Sequence, residues 1–134
     1  MKKNSTERKA IEIVKKFEQE RTNEIPEEMP NGHGYDIKSG NRFIEVKGTY
    51  GGLDKVWVVL HHTFFKKMWN SGRNYYIYFV YNLNDKPKMK IINPEKIFPN
   101  LEIEPKYILR GKIIRDKEID EIDVSKFYTD SSEI

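Results

Sequence analysis

Gly34-Tyr35-Asp36-Ile37-Lys38-Ser39-Gly40-Asn41-Arg42-Phe43-Ile44-Glu45-Val46-Lys47-Gly48 reads as two strands joined by a tight turn. Gly40-Asn41 is a dipeptide suited to a two-residue hairpin loop. With that loop, Ser39 faces Arg42, Ile37 faces Ile44 and Asp36 faces Glu45. Residues opposite one another in an antiparallel pair point to the same face. Alternation along the second strand adds Lys47 to the face of Glu45. Three ionisable groups are therefore expected on one side. Tyr35, Ile37, Ile44 and Val46 are expected on the other, where they can enter a core.

Two carboxylates placed across a ladder repel, so stability alone gives no reason for the arrangement. A divalent cation converts the repulsion into coordination. Hard oxygen donors suit Mg²⁺ or Mn²⁺. Lys47 beside them can compensate charge, or orient and help deprotonate an attacking water. Such chemistry suits hydrolysis of a phosphodiester. The bland alternative is a hairpin whose polar face is simply solvated.

Outward from the hairpin, residues 4–21 are expected to form a helix. Ala10, Ile11, Val14 and Phe17 recur at helical spacing. Asn4 can cap it, with Glu7 in the position of a capping-box acid. Residues 23–34 contain Pro26, Pro30, Gly32 and Gly34 and are expected to be a loop. Residues 55–60 (KVWVVL) are a β-branched, apolar strand. Residues 61–70 are expected to form a helix with Phe64, Phe65, Met68 and Trp69 on one face. Residues 75–83 are the longest strand candidate and residues 88–92 a further strand. Residues 94–98 are expected to form a helical turn, and 107–114 one more strand. Residues from 116 onward look least ordered, although their isoleucines, Phe127 and Tyr128 argue against full disorder. The order predicts one α/β (α+β) domain with a central sheet. Its bounds are taken as residues 1–115, with 116–134 as an acidic extension packed on, or loosely attached to, the same domain.

Composition narrows the chemistry. The 134 residues suit a single core. There is no cysteine, which excludes disulfides, zinc-thiolate sites and thiol nucleophiles. No apolar run reaches membrane-spanning length, and the first residues lack a signal-like apolar core. A cytoplasmic protein is the expectation. Residues 116–134 carry seven acidic side chains against two lysines, so the net +3 divides into −5 there and +8 over the rest. A basic body favours polyanionic partners; a lysine-rich surface that only keeps the chain soluble is the alternative.

These residues resemble the PD-(D/E)XK nuclease-like superfamily, in which an Asp on one strand and a (D/E)-x-K triplet on the next form a metal site. The closer resemblance is to the NO VEIN C-terminal domain family, largely of uncharacterised function. Glu7, Ala10, Val14 and Glu18 carry it, followed by Gly34-Tyr35-Asp36 and Ile44-Glu45-Val46-Lys47-Gly48. It covers roughly residues 5–92. Tyr35 stands where the superfamily's name has Pro. The resemblance implies a restriction-endonuclease-like α-β-β-β-α-β core with a mixed sheet flanked by helices. It implies Mg²⁺- or Mn²⁺-dependent cleavage of nucleic acid, DNA ahead of RNA, in restriction, defence or repair. Asp36 and Glu45 are then the metal ligands, Lys47 the catalytic base or water-orienting group, and Glu7 a fourth member from the first helix. Glu7 has a second reading as a helix cap favoured by the dipole, and Glu18 is a weaker candidate than Glu7. The alternative function is an inactive nucleic-acid- or protein-binding module that kept the fold.

Other groups are weighed singly. His33, Lys55 and Arg73 could contact a nucleic-acid backbone, as could Lys66 and Lys67. Solvated side chains without chemical duty are the competing reading. His61 and His62 lack zinc-site spacing. The tyrosines of residues 75–81 fit core packing better than base stacking. One site per chain suggests a homodimer or a partner subunit for duplex cleavage.

Overall fold

The computed structural model describes residues 5–30, 33–54, 57–60, 74–94, 102–103 and 107–128. The first helix, α1 (Ser5–Thr22), buries Ala10, Ile11, Ile13, Val14 and Glu18. Asn23 follows with φ +59° and donates its N–H to the Gln19 carbonyl. That left-handed residue closes the helix, a position asparagine tolerates. A short strand, β1 (Glu27–Glu28), lies inside the segment expected to be a loop.

Strands β2 (Ile37–Ser39) and β3 (Arg42–Gly48) form the hairpin. Their register is Ile37↔Ile44, Lys38↔Phe43 and Ser39↔Arg42. Gly40 has φ +56°, and Asn41 is not among the positive-φ residues. That pattern matches a primed turn with glycine first, whose twist suits the flanking strands. The remaining strands are β4 (Trp57–Leu60), β5 (Tyr75–Tyr81), β6 (Lys88–Ile92), β7 (Glu102–Ile103), β8 (Tyr107–Arg110) and β9 (Glu121–Asp123). A second helix, α2 (Gly111–Asp116), follows β8 directly.

Six strands make the main sheet, in the order β1-β2-β3-β5-β6-β9. Only β3 and β5 run parallel; the other pairs are antiparallel. The sheet is therefore mixed and the domain α+β. Strand β5 (YYIYFVY) sits centrally and is buried along almost its whole length, as expected of a strand covered on both faces.

Each face has its own core. Ile37, Ile44, Val46, Tyr78, Val80 and Met89 pack with α1 on one side. Tyr75, Ile77, Phe79, Tyr81 and Ile92 pack on the other with Leu53, Leu109 and Ile114. That second side is covered by α2 and by a smaller antiparallel sheet, β4-β8-β7. The strand expected at residues 55–60 thus belongs to the small sheet. The strand expected at 107–114 stops at Arg110, where α2 takes over. The acidic segment contributes β9, and Val124 is fully buried against the α1 side. Ile122 alternates inward between Glu121 and Asp123, giving β9 enough apolar surface to pair. Among the described residues no helix is long and apolar enough to cross a membrane. The helix expected at residues 61–70, most of the turn at 94–98, and Lys55, Lys66, Lys67 and Arg73 lie outside the described residues.

Gly48 ends β3 where α1 crosses it. A Cβ at that position would stand 2.7 Å from the Ala10 Cβ, with the Thr6 carbonyl oxygen at 3.4 Å. Neither neighbour is a flexible side-chain end. Gly48→Ala is expected to cost ~1–3 kcal/mol through overpacking. Thermal melts should show the loss, and adding Ala10→Gly should recover part of it.

Candidate active site

Glu45 and Lys47 leave β3 on the side away from α1. Phe43, two residues earlier, packs against the Tyr75, Ile77 and Phe79 core there. Through the parallel pairing Glu45 lies beside Ile77 and Lys47 beside Phe79. The Glu45 carboxylate therefore stands over an apolar floor, with 15% of its side chain exposed. Lys47 Nζ is 3.2 Å from Glu45 Oε2.

Asp36 reaches the same place by a different route from the regular ladder expected of it. The ladder begins at Ile37. The Asp36 N–H donates to the Ile44 carbonyl at 2.9 Å, and Asp36 Oδ2 accepts the Val46 N–H at 2.8 Å. The side chain thus replaces a missing backbone acceptor and is fixed in orientation. Its carboxyl lies within hydrogen-bonding reach of Glu45. Because alternation has not yet begun, Tyr35 does not join Ile37, Ile44 and Val46. It is buried on the other side, edge-on to Phe43 at 5.1 Å and to Tyr75 at 6.3 Å. Gly34, with φ +98°, makes that approach possible.

Burial, then the neighbouring charge of Asp36, pushes the Glu45 carboxyl up to about 8 against the opposing pull of Lys47. In the absence of a cation Glu45 holds its proton through neutral pH. The sign follows by linkage. A carboxyl with a raised folded value stabilises below about 4.5, and that contribution is lost as pH rises through about 8. In chelator, Glu45→Gln should therefore raise the melting temperature by ~5–10 °C at pH 9 and change it little at pH 5. Melts at the two pH values check this.

Among the described residues no group of three or more His, Asp or Glu side chains gathers as a metal cluster. Zinc, which takes a closed set of nitrogen and sulfur ligands, is poorly served here. Mg²⁺ or Mn²⁺ is served better. Mg²⁺ is commonly held by one or two carboxylates and completes its shell with water and substrate phosphate. Two adjacent oxygen donors, one holding its proton because it is buried beside the other's charge, fit that requirement.

Glu7 enters from the opposite side of the sheet. It lies in the first turn of α1. With Thr6, Lys47, Gly48, Thr49 and Tyr50 it lines an opening of about 490 Å³ at the end of β3. Glu7 and Lys47 therefore both line the opening, while Glu18 does not join them. Glu18 is fully buried three turns along the helix, where it accepts hydrogen bonds from Arg21 and from Tyr78 Oη at 2.8 Å. His33 is half-buried, edge-on to Tyr35 at 5.0 Å between ring centroids.

Residues 6–92 match the family described as Protein NO VEIN, C-terminal. The chain belongs to that family. No curated protein and no solved structure matches the chain significantly. The NO VEIN C-terminal match takes in α1, the hairpin and the central strands through β6. Strands β7 to β9 and α2 lie beyond it, yet β9 completes the main sheet and α2 helps cover the side that carries Glu45.

Tyr75 is a neighbour that sequence reasoning missed. Its hydroxyl donates to the Gly34 carbonyl. Burial first, then the charges of Glu45 and Asp36, raise its pKa. It pins the loop that delivers Asp36. The signal was faint, because the pairing of Phe43 with Tyr75 is parallel and distant in sequence.

Proposed function

We propose that this NO VEIN C-terminal domain is a metal-dependent nuclease that hydrolyses phosphodiester bonds of nucleic acid, DNA ahead of RNA. The observation that carries the reading is the Asp36–Glu45 carboxyl pair with Lys47 Nζ 3.2 Å from Glu45. Asp36 and Glu45 would hold Mg²⁺ or Mn²⁺, which when bound neutralises phosphoryl charge and acidifies water. Asp36 is already oriented by the Val46 N–H, so little reorganisation is required of it. Lys47 is placed to hold an attacking water or move its proton. Glu7 faces the same opening and would help order the water there. The positive charge outside residues 116–134 draws in a polyanion.

The antiparallel β2–β3 hairpin, the parallel β3–β5 pair and α1 packed behind them support a restriction-endonuclease-like core. We place the protein in the cytoplasm, acting in restriction, defence or repair, as a homodimer or with a partner subunit where both strands are cut. The competing reading is a binding module without turnover, for which the Lys47–Glu45 ion pair is a purely structural contact. Titration of Mg²⁺ and Mn²⁺ against plasmid, branched DNA and RNA separates the two. Cleavage that needs the cation and disappears in Asp36→Ala supports the nuclease. Binding indifferent to cation, without cleavage, supports the module.

A further inference from the structure

The opening at the end of β3 has features that the carboxyl pair and lysine do not use. Its volume of about 490 Å³ falls in the range of small-molecule sites and suits a single nucleotide unit. Lys47 and Glu7 both line it, so whatever fills it lies at the Lys47 end of the proposed centre, with Asp36 and Glu45 beyond the lining. Tyr50 lines it too, one of two large hydrophobic side chains found exposed among the described residues, at 38%.

An exposed tyrosine in a loop is usually free to swing, but this one is held. Ser5, Thr6 and Lys9 hydrogen-bond to its hydroxyl and keep its ionisation below the usual phenol value. The Lys9 ammonium also stands 5.2 Å from the ring centroid. The outcome is a pre-positioned aromatic surface with a cation beside it, opening onto a cavity that ends at Lys47. An aromatic ring offers a base its π-face, and an ammonium offers a phosphate its counter-charge. Phosphate alone would need only the lysines. The ring adds recognition that a paired base, stacked inside a duplex, cannot receive.

We propose that Tyr50, with Lys9, forms a subsite that stacks one unpaired nucleotide next to the scissile phosphate, so that the substrate is a strand carrying unpaired bases. Flaps, gaps and single strands are then favoured over intact duplex. Fully paired DNA has to give up a base from its stack to fill the site, at a cost in affinity. This subsite rests on the nuclease reading for its meaning, but its test does not need turnover.

Fluorescence anisotropy in Ca²⁺ measures binding to a labelled single-stranded oligonucleotide, a 5′-flap duplex and a blunt duplex of equal length, with dAMP as competitor. The unpaired substrates are expected to bind at least ~10-fold tighter than the blunt duplex. Tyr50→Ala should lose ~5–100-fold on the unpaired substrates, the range of one stacked base, and little on the duplex. Tyr50→Phe keeps the ring but loses the hydroxyl contacts that position it, so on the unpaired substrates its loss should fall between that of Tyr50→Ala and the unchanged protein. Competition by dAMP at concentrations as low as the oligonucleotide's own Kd would identify the free nucleotide as the cargo and overturn the strand substrate. Equal binding of all three DNAs, or a Tyr50→Ala loss that is the same on each, would overturn the subsite. The Mn²⁺ affinity of the unchanged protein, measured separately, tests the hydrolytic centre and is unaffected by either outcome.

Discussion

Lys47→Ala is expected to lower Mg²⁺-dependent cleavage by ~10²–10⁴-fold while the protein still binds Mn²⁺. A positioned proton-transfer or charge-stabilising group contributes rate on that scale. The lysine lies 3.2 Å from Glu45 and on the wall of the opening, so it is close to the reacting centre without being an oxygen donor itself. Glu45→Gln should behave differently. It keeps the shape but removes a charged ligand, so cation binding and cleavage should fall together. Single-turnover assays alongside calorimetry distinguish the two patterns. If Lys47→Ala cleaves at the unchanged rate, the lysine is only the ion-pair partner of Glu45.

The second large effect concerns stability on the α1 side of the sheet. Glu18 is fully buried and is held by Arg21, by Tyr78 Oη at 2.8 Å and through that hydroxyl by Arg42, whose Nη1 donates to Tyr78 at 2.6 Å. Ser39 Oγ is buried beside this group without a well-formed hydrogen bond. The network ties the last turns of α1 to the hairpin and to β5. Removing one partner from a fully buried charged pair costs ~3–5 kcal/mol, and the 33% exposure of the Arg21 side chain puts this pair at the lower end. Glu18→Ala is therefore expected to lower the melting temperature by ~10 °C or more, a large share of a small domain's stability. Burial pushes the Glu18 carboxyl up, but the hydrogen bonds from Arg21 and Tyr78 outweigh it and the net value is lowered. Its contribution is thus present above the ordinary carboxylate range and is lost as the solution is acidified through the folded value. Glu45 acts in the opposite sense, so the Glu18→Ala penalty should shrink at low pH where the Glu45→Gln benefit also vanishes.

The hairpin register was legible because it depends on local chemistry. Gly40-Asn41 sets the turn, the turn sets Ile37 opposite Ile44, and alternation then sends Glu45 and Lys47 to one side. Alternation does not extend to the residues just before the ladder. Tyr35 and Asp36 lie in a bend where the Asp36 side chain substitutes for a backbone acceptor, and no periodic rule describes that. Non-local pairings were also out of reach. Nothing in KVWVVL distinguishes a strand of the main sheet from one that pairs with residues fifty positions away. Glu18 was visible as an acid on the apolar face of the helix. Arg21 lies on its own helix, but its other partners come from β2, β3 and β5, so its full structural role could be read only after folding. The short β9 carried a usable signal in Glu121-Ile122-Asp123, overshadowed by the charge of its surroundings.

The proposed site requires Glu45 to give up its proton to a divalent cation that it holds with Asp36. Calorimetric titration of Mn²⁺ at pH 7, repeated in two buffers of different ionisation enthalpy, tests this directly. With Glu45 pushed up to about 8, binding should release close to one proton per ion. Glu45→Gln should abolish that release along with most of the affinity. Absence of binding heat at millimolar Mn²⁺, or binding with no proton released and no change in Glu45→Gln, would contradict the site.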